Sequence, residues 1–365
     1  MIKIEDLEKY ATINRGFQGI PGIEITPKGR LWATWYTGGD TEGPENFAVL
    51  VTSADGGKHW SEPVAVIDPP GNYRAYDPTL WIGPDGILRW FWAETESLDG
   101  CITNGIDGVW FVACSNIEDD KPEWSGPVRI ANGVMMNKPI VLSDGDWVFP
   151  TALWCKDIGG KRAPEELQCE CFSNSTVSTD GGCTFCLRGG ADIPNRAFDE
   201  HHIVELKDGR LWCLVRTEDG IGDSFSSDKG ATWSKGRSNA MVGPCSRFFI
   251  KRLASANLLL VNHVFDKNEK NVRKNLTAWI SEDDGKSWLG GLMLDERRDV
   301  SYPDGCQDDD GNIWIIYDHS RYKHGDILFA KFTEEDVLAG KIVSKTSKLK
   351  QLINTTGGVK IRAKI

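Results

Sequence analysis

Short apolar runs rich in β-branched and aromatic residues recur along the chain, each bounded by a turn signal. Leu211-Trp-Cys-Leu-Val215 and Ile313-Trp-Ile-Ile-Tyr317 are two of them. Each follows a glycine turn. Lys28-Gly29-Arg30-Leu31-Trp32 recurs as Asp85-Gly86-Ile87-Leu88 and as Asp144-Gly145-Asp146-Trp147. It returns as Asp208-Gly209-Arg210-Leu211-Trp212 and Asp310-Gly311-Asn312-Ile313-Trp314. A strand, a glycine turn and a second strand make a hairpin, since Gly supplies the positive φ the turn needs.

A second pattern follows each hairpin. It reads Ser53-Ala-Asp55-Gly-Gly57-Lys-His-Trp60, then Ser226-Ser-Asp228-Lys-Gly230-Ala-Thr-Trp233, then Ser281-Glu-Asp283-Asp-Gly285-Lys-Ser-Trp288. A variant runs from Ser178 through Asp180 and Gly182 to Phe185, and a worn copy lies between Ser115 and Trp124. Ser and Asp side chains bond nearby backbone amides in such turns, and the final aromatic ring is expected to fold back as an apolar plug. The copies fall about fifty to sixty residues apart, the period of a propeller blade. Strand, glycine turn, strand and a further strand into the Asp box form an antiparallel meander. Six such units fit in the 365 residues. Their first strands are expected near Gly19, Tyr76, Lys138, Glu200, Arg247 and Tyr302. The fold class is therefore all-β, a six-bladed β-propeller of four-stranded antiparallel blades, with residues 1–365 as one domain. A solenoid fits the abundant Trp less well.

Composition narrows the function. A net charge of −11 argues against nucleic acid as a partner, and an anionic ligand needs a local cationic cluster. Ten cysteines include Cys169-Glu-Cys171 and Cys183-Thr-Phe-Cys186, spacings that suit zinc. However, Cys183 lies inside an Asp box, and Cys169 and Cys171 share one face of an expected strand. Buried free thiols are expected, with metal and disulfides as the alternatives, and no cofactor. The start Met1-Ile-Lys-Ile-Glu-Asp6 lacks a basic segment followed by an apolar one, and no apolar run approaches the ~20 residues that span a bilayer. A cytoplasmic protein without a membrane partner is the expectation.

In a propeller the first strand of each blade lines the central channel, so chemistry is sought where these strands begin. Those positions hold Asp77, Asn137, Lys138, Glu200, His201, His202, Arg247, Tyr302 and Asp304. Taken singly, each is more commonly a loop residue or a hydrogen-bonded cap.

With these motifs the chain resembles the sialidase (neuraminidase) superfamily with Asp-box repeats, over nearly its whole length. The stretch Asp199-Glu-His-His-Ile-Val-Glu-Leu-Lys-Asp-Gly-Arg-Leu-Trp-Cys-Leu-Val-Arg216 resembles the family segment that carries a catalytic Glu and a substrate-binding Arg, which places those roles on Glu200 and Arg216. Arg273, running into the Asp box at Ser281, resembles the family's last carboxylate-binding Arg. Tyr302, nine residues before Gly311, resembles its nucleophilic Tyr. Asp40, in a loop of the first blade, resembles its acid/base Asp, with Glu42 and Glu45 nearby. The family's Arg-Ile-Pro motif reads Gly19-Ile20-Pro21 here, so the first of three clustered arginines is absent. Arg74 is the first choice to replace it and Arg15 the second, with Lys138 a further candidate for the same space. His201, Asp77 and Arg247 complete the expected binding set.

The resemblance implies a retaining exo-glycosidase that acts on a glycan ending in an acidic sugar, sialic acid or a relative. A neutral phenol avoids the repulsion that a carboxylate nucleophile would meet at a carbon bearing a carboxylate. The Gly19 departure keeps two alternatives open: a uronic-acid glycosidase or lyase on the same fold, and a carbohydrate-binding propeller without catalysis.

Overall fold

The computed structural model describes residues 2–97, 103–119, 121–154 and 163–356. Six antiparallel sheets follow one another along the chain, the blades of a six-bladed β-propeller. The only α-helix among the described residues, Glu334–Ala339, is capped at both ends by Thr333 and Gly340. No helix among them is long and apolar enough to cross a membrane.

By internal contacts the chain divides into two compact units. The first comprises residues 1–68 and 246–365. Its first sheet pairs Gln18–Ile25, Leu31–Thr37, Phe47–Ser53 and Ala65–Ile67, and the short strand Ile2–Lys3 adds a fifth member at the outer edge. Its second sheet runs Phe249–Arg252, Leu258–His263, Leu276–Ser281 and Leu289–Asp295. Its third runs Val300–Gln307, Ile313–His319, Asp326–Phe332 and Lys348–Thr355. The second unit, residues 69–245, holds three sheets that begin at Tyr73–Ile82, Ile140–Val141 and His202–Glu205. All six first strands begin within three residues of the positions expected from the glycine turns.

The hydrophobic runs explain the layering. Leu31–Thr37 and Leu211–Thr217, each the second strand of its sheet, are buried at every position. In the first unit one apolar cluster joins Ile23, Trp35 and Val49 to Ile316, Ile327 and Phe329, so the first and last blades share a core.

The Asp boxes close as expected. Ser53, Ser178, Ser226 and Ser281 each donate to the Asp two residues on, at 2.8–2.9 Å. The Gly two residues further donates its N–H back to the Ser hydroxyl. The worn copy starts one residue earlier than its sequence suggested: the Cys114 thiol takes the Ser role and donates to Asn116 Oδ1 at 3.1 Å. The terminal rings are only half-buried plugs that lean on an adjoining blade. Trp60 meets Phe329 at 6.1 Å, and Phe185 meets Phe111 of the preceding sheet at 6.0 Å. The fifth blade makes the same first turn without glycine. Ala256 takes φ 67°, and Leu253 and Asn257 close the turn as Thr26 and Arg30 do around Gly29.

The cysteines depart from expectation. The eight described ones are free, but Cys169, Cys183 and Cys186 are exposed. Cys169 lies in a short 3₁₀ helix, Glu165–Glu170, and not in a strand. Cys101 and Cys155 lie outside the described residues. Among the described residues no group of three His, Cys, Asp or Glu side chains is placed to hold a metal.

Candidate active site

Three first strands carry the same interruption. The ladder register slips between Gly19 and Gly22, between Tyr76 and Thr79, and between Ser301 and Asp304. Each slip contains a left-handed residue followed by proline: Ile20-Pro21 at φ 56°, Asp77-Pro78 at 47° and Tyr302-Pro303 at 55°. Proline has no N–H to give the ladder, and a bulge takes one residue out of the in–out alternation. The left-handed region is unfavourable for these side chains and persists only where the surroundings hold it. Tyr302 is therefore presented by a strained, proline-locked bulge.

In the first unit the surroundings of Tyr302 are cationic. The Arg321 guanidinium lies 4.3 Å from the Tyr302 ring centroid and that of Arg273 lies 5.3 Å from it. Arg321 is buried and well tethered. It donates to Ser301 Oγ at 2.9 Å and to Glu42 Oε1 at 3.2 Å, and its Nε sits 3.5 Å from Asp318 Oδ2. Burial opposes its charge, but Asp318, Tyr302 and Glu42 outweigh that and push its pKa up. Asp318, fully buried, is the hub. It accepts from Ile20 N–H at 2.9 Å and from Ser301 Oγ at 2.7 Å. One carboxylate thus ties two bulges to one arginine. Glu42 also accepts from the Tyr322 hydroxyl at 2.9 Å, and burial together with Glu42 pushes that phenol up.

The remaining candidates of this unit are Asp40, Arg247 and Arg15. Asp40 is exposed in a loop pinned by Asn46, whose amide donates to the carbonyls of Gly38 and Thr41. Arg247 is buried, with Nη2 3.6 Å from Asp304 Oδ1, while Asp304 Oδ2 accepts from Ile23 N–H. Arg15 is occupied elsewhere: it donates to Thr12 and Asn354 and stacks over Trp35.

In the second unit Glu200 is set by three consecutive left-handed residues, Phe198, Asp199 and Glu200, at φ 61°, 55° and 27°. Asp199 fixes this turn by accepting from Ser173 Oγ at 3.0 Å and pairing with Arg196 at 3.0 Å. The Glu200 side chain is buried and accepts from Arg216 Nη1 at 2.7 Å. Arg216 also donates to Cys245 Sγ and lies over the Phe198 ring at 4.8 Å. Asn137 buttresses the segment by donating to the carbonyls of Glu200 and His201. His201 itself is buried against Asn174 O at 2.8 Å, and burial lowers its pKa to about 4. Lys138 is buried and donates to Leu80 O at 2.5 Å. Arg74 is buried and stacks over Tyr76 at 4.1 Å, with the Asp107 carboxylate nearby. Among the described residues its Nε and Nη1 have no hydrogen-bond partner.

The first unit therefore brings Tyr302 and Arg273 together, and the second brings Glu200 and Arg216 together. His201, Lys138 and Arg247 spend their polar atoms on carbonyls or a buried carboxylate. Arg321 and Asp318 were not legible as site residues. They follow the apolar run Ile313–Tyr317 in a stretch, Asp318-His-Ser-Arg321, that matches no motif. The available signal was positional: a charged pair at and just beyond the end of the second strand of the blade that carries Tyr302.

Six antiparallel meanders, four of them closed by complete Asp-box turns, define the Asp-box class of β-propeller. The chain matches the BNR repeat-like domain family over residues 29–315 and belongs to it. It is 25% identical over 344 residues to a sialidase of Bacteroides fragilis (strain YCH46), a match that takes in 82% of this chain and 60% of that relative's length. The fold is similar to that of the Hadza microbial sialidase Hz136, with TM-score 0.68, 20% identity, 88% of this chain and 66% of the other. It is also similar to the intramolecular trans-sialidase of Ruminococcus gnavus in complex with oseltamivir carboxylate, with TM-score 0.68, 14% identity, 92% of this chain and 98% of the other.

Proposed function

We propose that this protein is a retaining glycosidase that removes a terminal acidic sugar, sialic acid or a close relative, from a glycan. The observation that carries the reading is Tyr302, a buried phenol on a strained bulge with two guanidinium groups against its ring. Cations there favour negative charge both on the phenol and on an incoming carboxylate.

In this reading Tyr302 Oη attacks the anomeric carbon while the bond to the leaving oxygen breaks. Glu200 takes the phenolic proton and Asp40 gives a proton to the leaving oxygen. Water then attacks the anomeric carbon, Asp40 takes its proton, and Tyr302 leaves with the proton held by Glu200. Arg273 and Arg216 hold the substrate carboxylate, with Arg74 in the place of the missing third arginine, and Asp77 contacts the sugar. The exposure of Asp40 suits a group that must exchange protons with water. A uronic-acid substrate is the second reading. It is favoured by Gly19, which stands where the family carries an arginine; a β-carbon there would lie 3.0 Å from the buried Asp318 carboxylate, a tight contact.

The test is a panel of chromogenic sialosides and uronosides, with the anomer of the first product followed by proton NMR. Release of an acidic sugar with retention, abolished by Tyr302→Phe, is the expected result. Turnover that survives Tyr302→Phe, or none on any acidic glycoside, rejects the reading.

A further inference from the structure

The space above Gly19 is not empty. A β-carbon at position 19 would stand 3.0 Å from Asp318 Oδ2, 3.3 Å from Arg321 Cδ and 3.4 Å from Arg321 Cβ. Glycine at this position leaves room for the Arg321 stem, which crosses there to reach the Tyr302 ring. A longer side chain at 19 would press on Asp318 and on the Arg321 stem, so both would have to shift.

The tethers of Arg321 are directional. A guanidinium has five N–H donors in a fixed fork. Its contacts with Ser301, Glu42 and Asp318 involve all three of its nitrogens and fix the plane of the group. That plane lies 4.3 Å from the Tyr302 ring centroid, closer than Arg273 at 5.3 Å. Ser301 is the residue before Tyr302, so Arg321 holds both the ring and the backbone that presents it.

From this geometry we infer that Arg321 is the positioning residue of Tyr302. It orients the phenol and stabilises the negative charge that develops on it. The inference rests on the reading of Tyr302 as the nucleophile, and it assigns to a residue outside every motif the task of making that phenol reactive. Asp318 and Glu42 set the strength of the effect. Both place negative charge against Arg321, and Glu42, at the end of a loop and partly exposed, is the adjustable one. Charged and titratable groups that face Tyr302 or Arg321 in this unit include Tyr322 from the segment after Ile313–His319, Asp318 from that strand, and Arg273. Glu42 from its loop and Tyr36 from Leu31–Thr37 also act on Arg321.

The test needs no substrate. The full chain is labelled with tyrosine carrying carbon-13 at Cζ, and the Tyr302 resonance is identified by its loss in Tyr302→Phe. Its titration is then followed in wild type, Arg321→Gln and Glu42→Gln. Arg321→Gln is expected to weaken the Tyr302 phenol as an acid about tenfold or more, a rise of about one pH unit in its midpoint. Glu42→Gln, which removes an opposing charge and leaves Arg321 in place, is expected to lower the midpoint. A folded Arg321→Gln protein with an unchanged or lowered midpoint overturns the inference. Should that variant not fold, an unchanged or raised midpoint in Glu42→Gln overturns it instead. A protein whose Tyr302 shifts as expected but which cleaves no acidic glycoside refutes the proposed function and leaves the role of Arg321 standing.

Discussion

Acidification should destabilise this protein through two buried histidines. His201 places Nε2 2.8 Å from Asn174 O, and His263 places Nε2 2.9 Å from Val300 O. A carbonyl only accepts, so each ring is the tautomer with hydrogen on Nε2. Burial, partly opposed by that bond, lowers both pKa values to about 4 from the ordinary 6.5. The sign follows from where the proton binds. Below pH 6.5 the unfolded chain takes up a proton that the folded chain refuses until about pH 4, so stability falls across that window as pH falls. At pH 5 the unfolded state is favoured by about 1.5 pH units per histidine, about 2 kcal/mol each relative to pH 7.5. The consequence reaches the site, since His201 adjoins Glu200 and Val300 lies two residues before Tyr302. Urea denaturation at pH 7.5 and pH 5 measures the difference. His201→Gln and His263→Gln, whose amides can still donate to the carbonyls, should each remove about 2 kcal/mol of it. The comparison is made within each variant, so an overall loss of stability does not confuse it. Histidine NMR resonances that titrate near pH 6.5 in the folded protein, or a pH difference that persists in both variants, would refute the reasoning.

Three further outcomes are expected. Tyr302→Phe and Glu200→Gln should each lower kcat on the acidic glycoside that is hydrolysed by roughly 10²–10⁴-fold, with circular dichroism unchanged; near-normal turnover in either rejects its assigned role. Gly182→Ala should destabilise by about 1–3 kcal/mol in urea, because φ is 87° there and the new carbon would meet the Trp147 ring at 2.6 Å; an unchanged midpoint would contradict the packing. The Asp-box carboxylates Asp180, Asp228 and Asp283 are lowered to about 2, first by the hydroxyls of Thr184, Thr232 and Ser287. Their contribution is present above about pH 4 and is lost as pH falls towards 2, so Thr184→Val and Thr232→Val should flatten acid unfolding in that range, and an unaltered acid profile in both would count against it.

The blades were legible because their signals are local. A glycine turn needs positive φ within one residue, and an Asp box satisfies its own amides within eight, so both survive as short strings. The fifth blade shows the limit: Ala256 adopts the turn that glycine occupies elsewhere, and no string marks it. The Glu200–Arg216 pair was legible because both residues lie on one hairpin. The cationic setting of Tyr302 was only half legible. Arg273 stands beside an Asp box, but Arg321 acts through contacts with residues 19, 42, 301 and 318, which only folding brings together. The bulges were missed for a related reason. Ile20-Pro21, Asp77-Pro78 and Tyr302-Pro303 share a backbone and not a side chain, so they align only once the strand pairing is known.

Those three bulges behave as sockets. In each, proline and the slipped register decide where the preceding residue points, whatever that residue is. Isoleucine, aspartate and tyrosine occupy three copies of one backbone device. The chemistry displayed at a socket is thereby uncoupled from the pairing of the strand beneath it. Moving a phenol or a carboxylate from one blade to another is then a matter of single substitutions, with the ladders left in register, which makes the scaffold a natural host for installing new reactive groups.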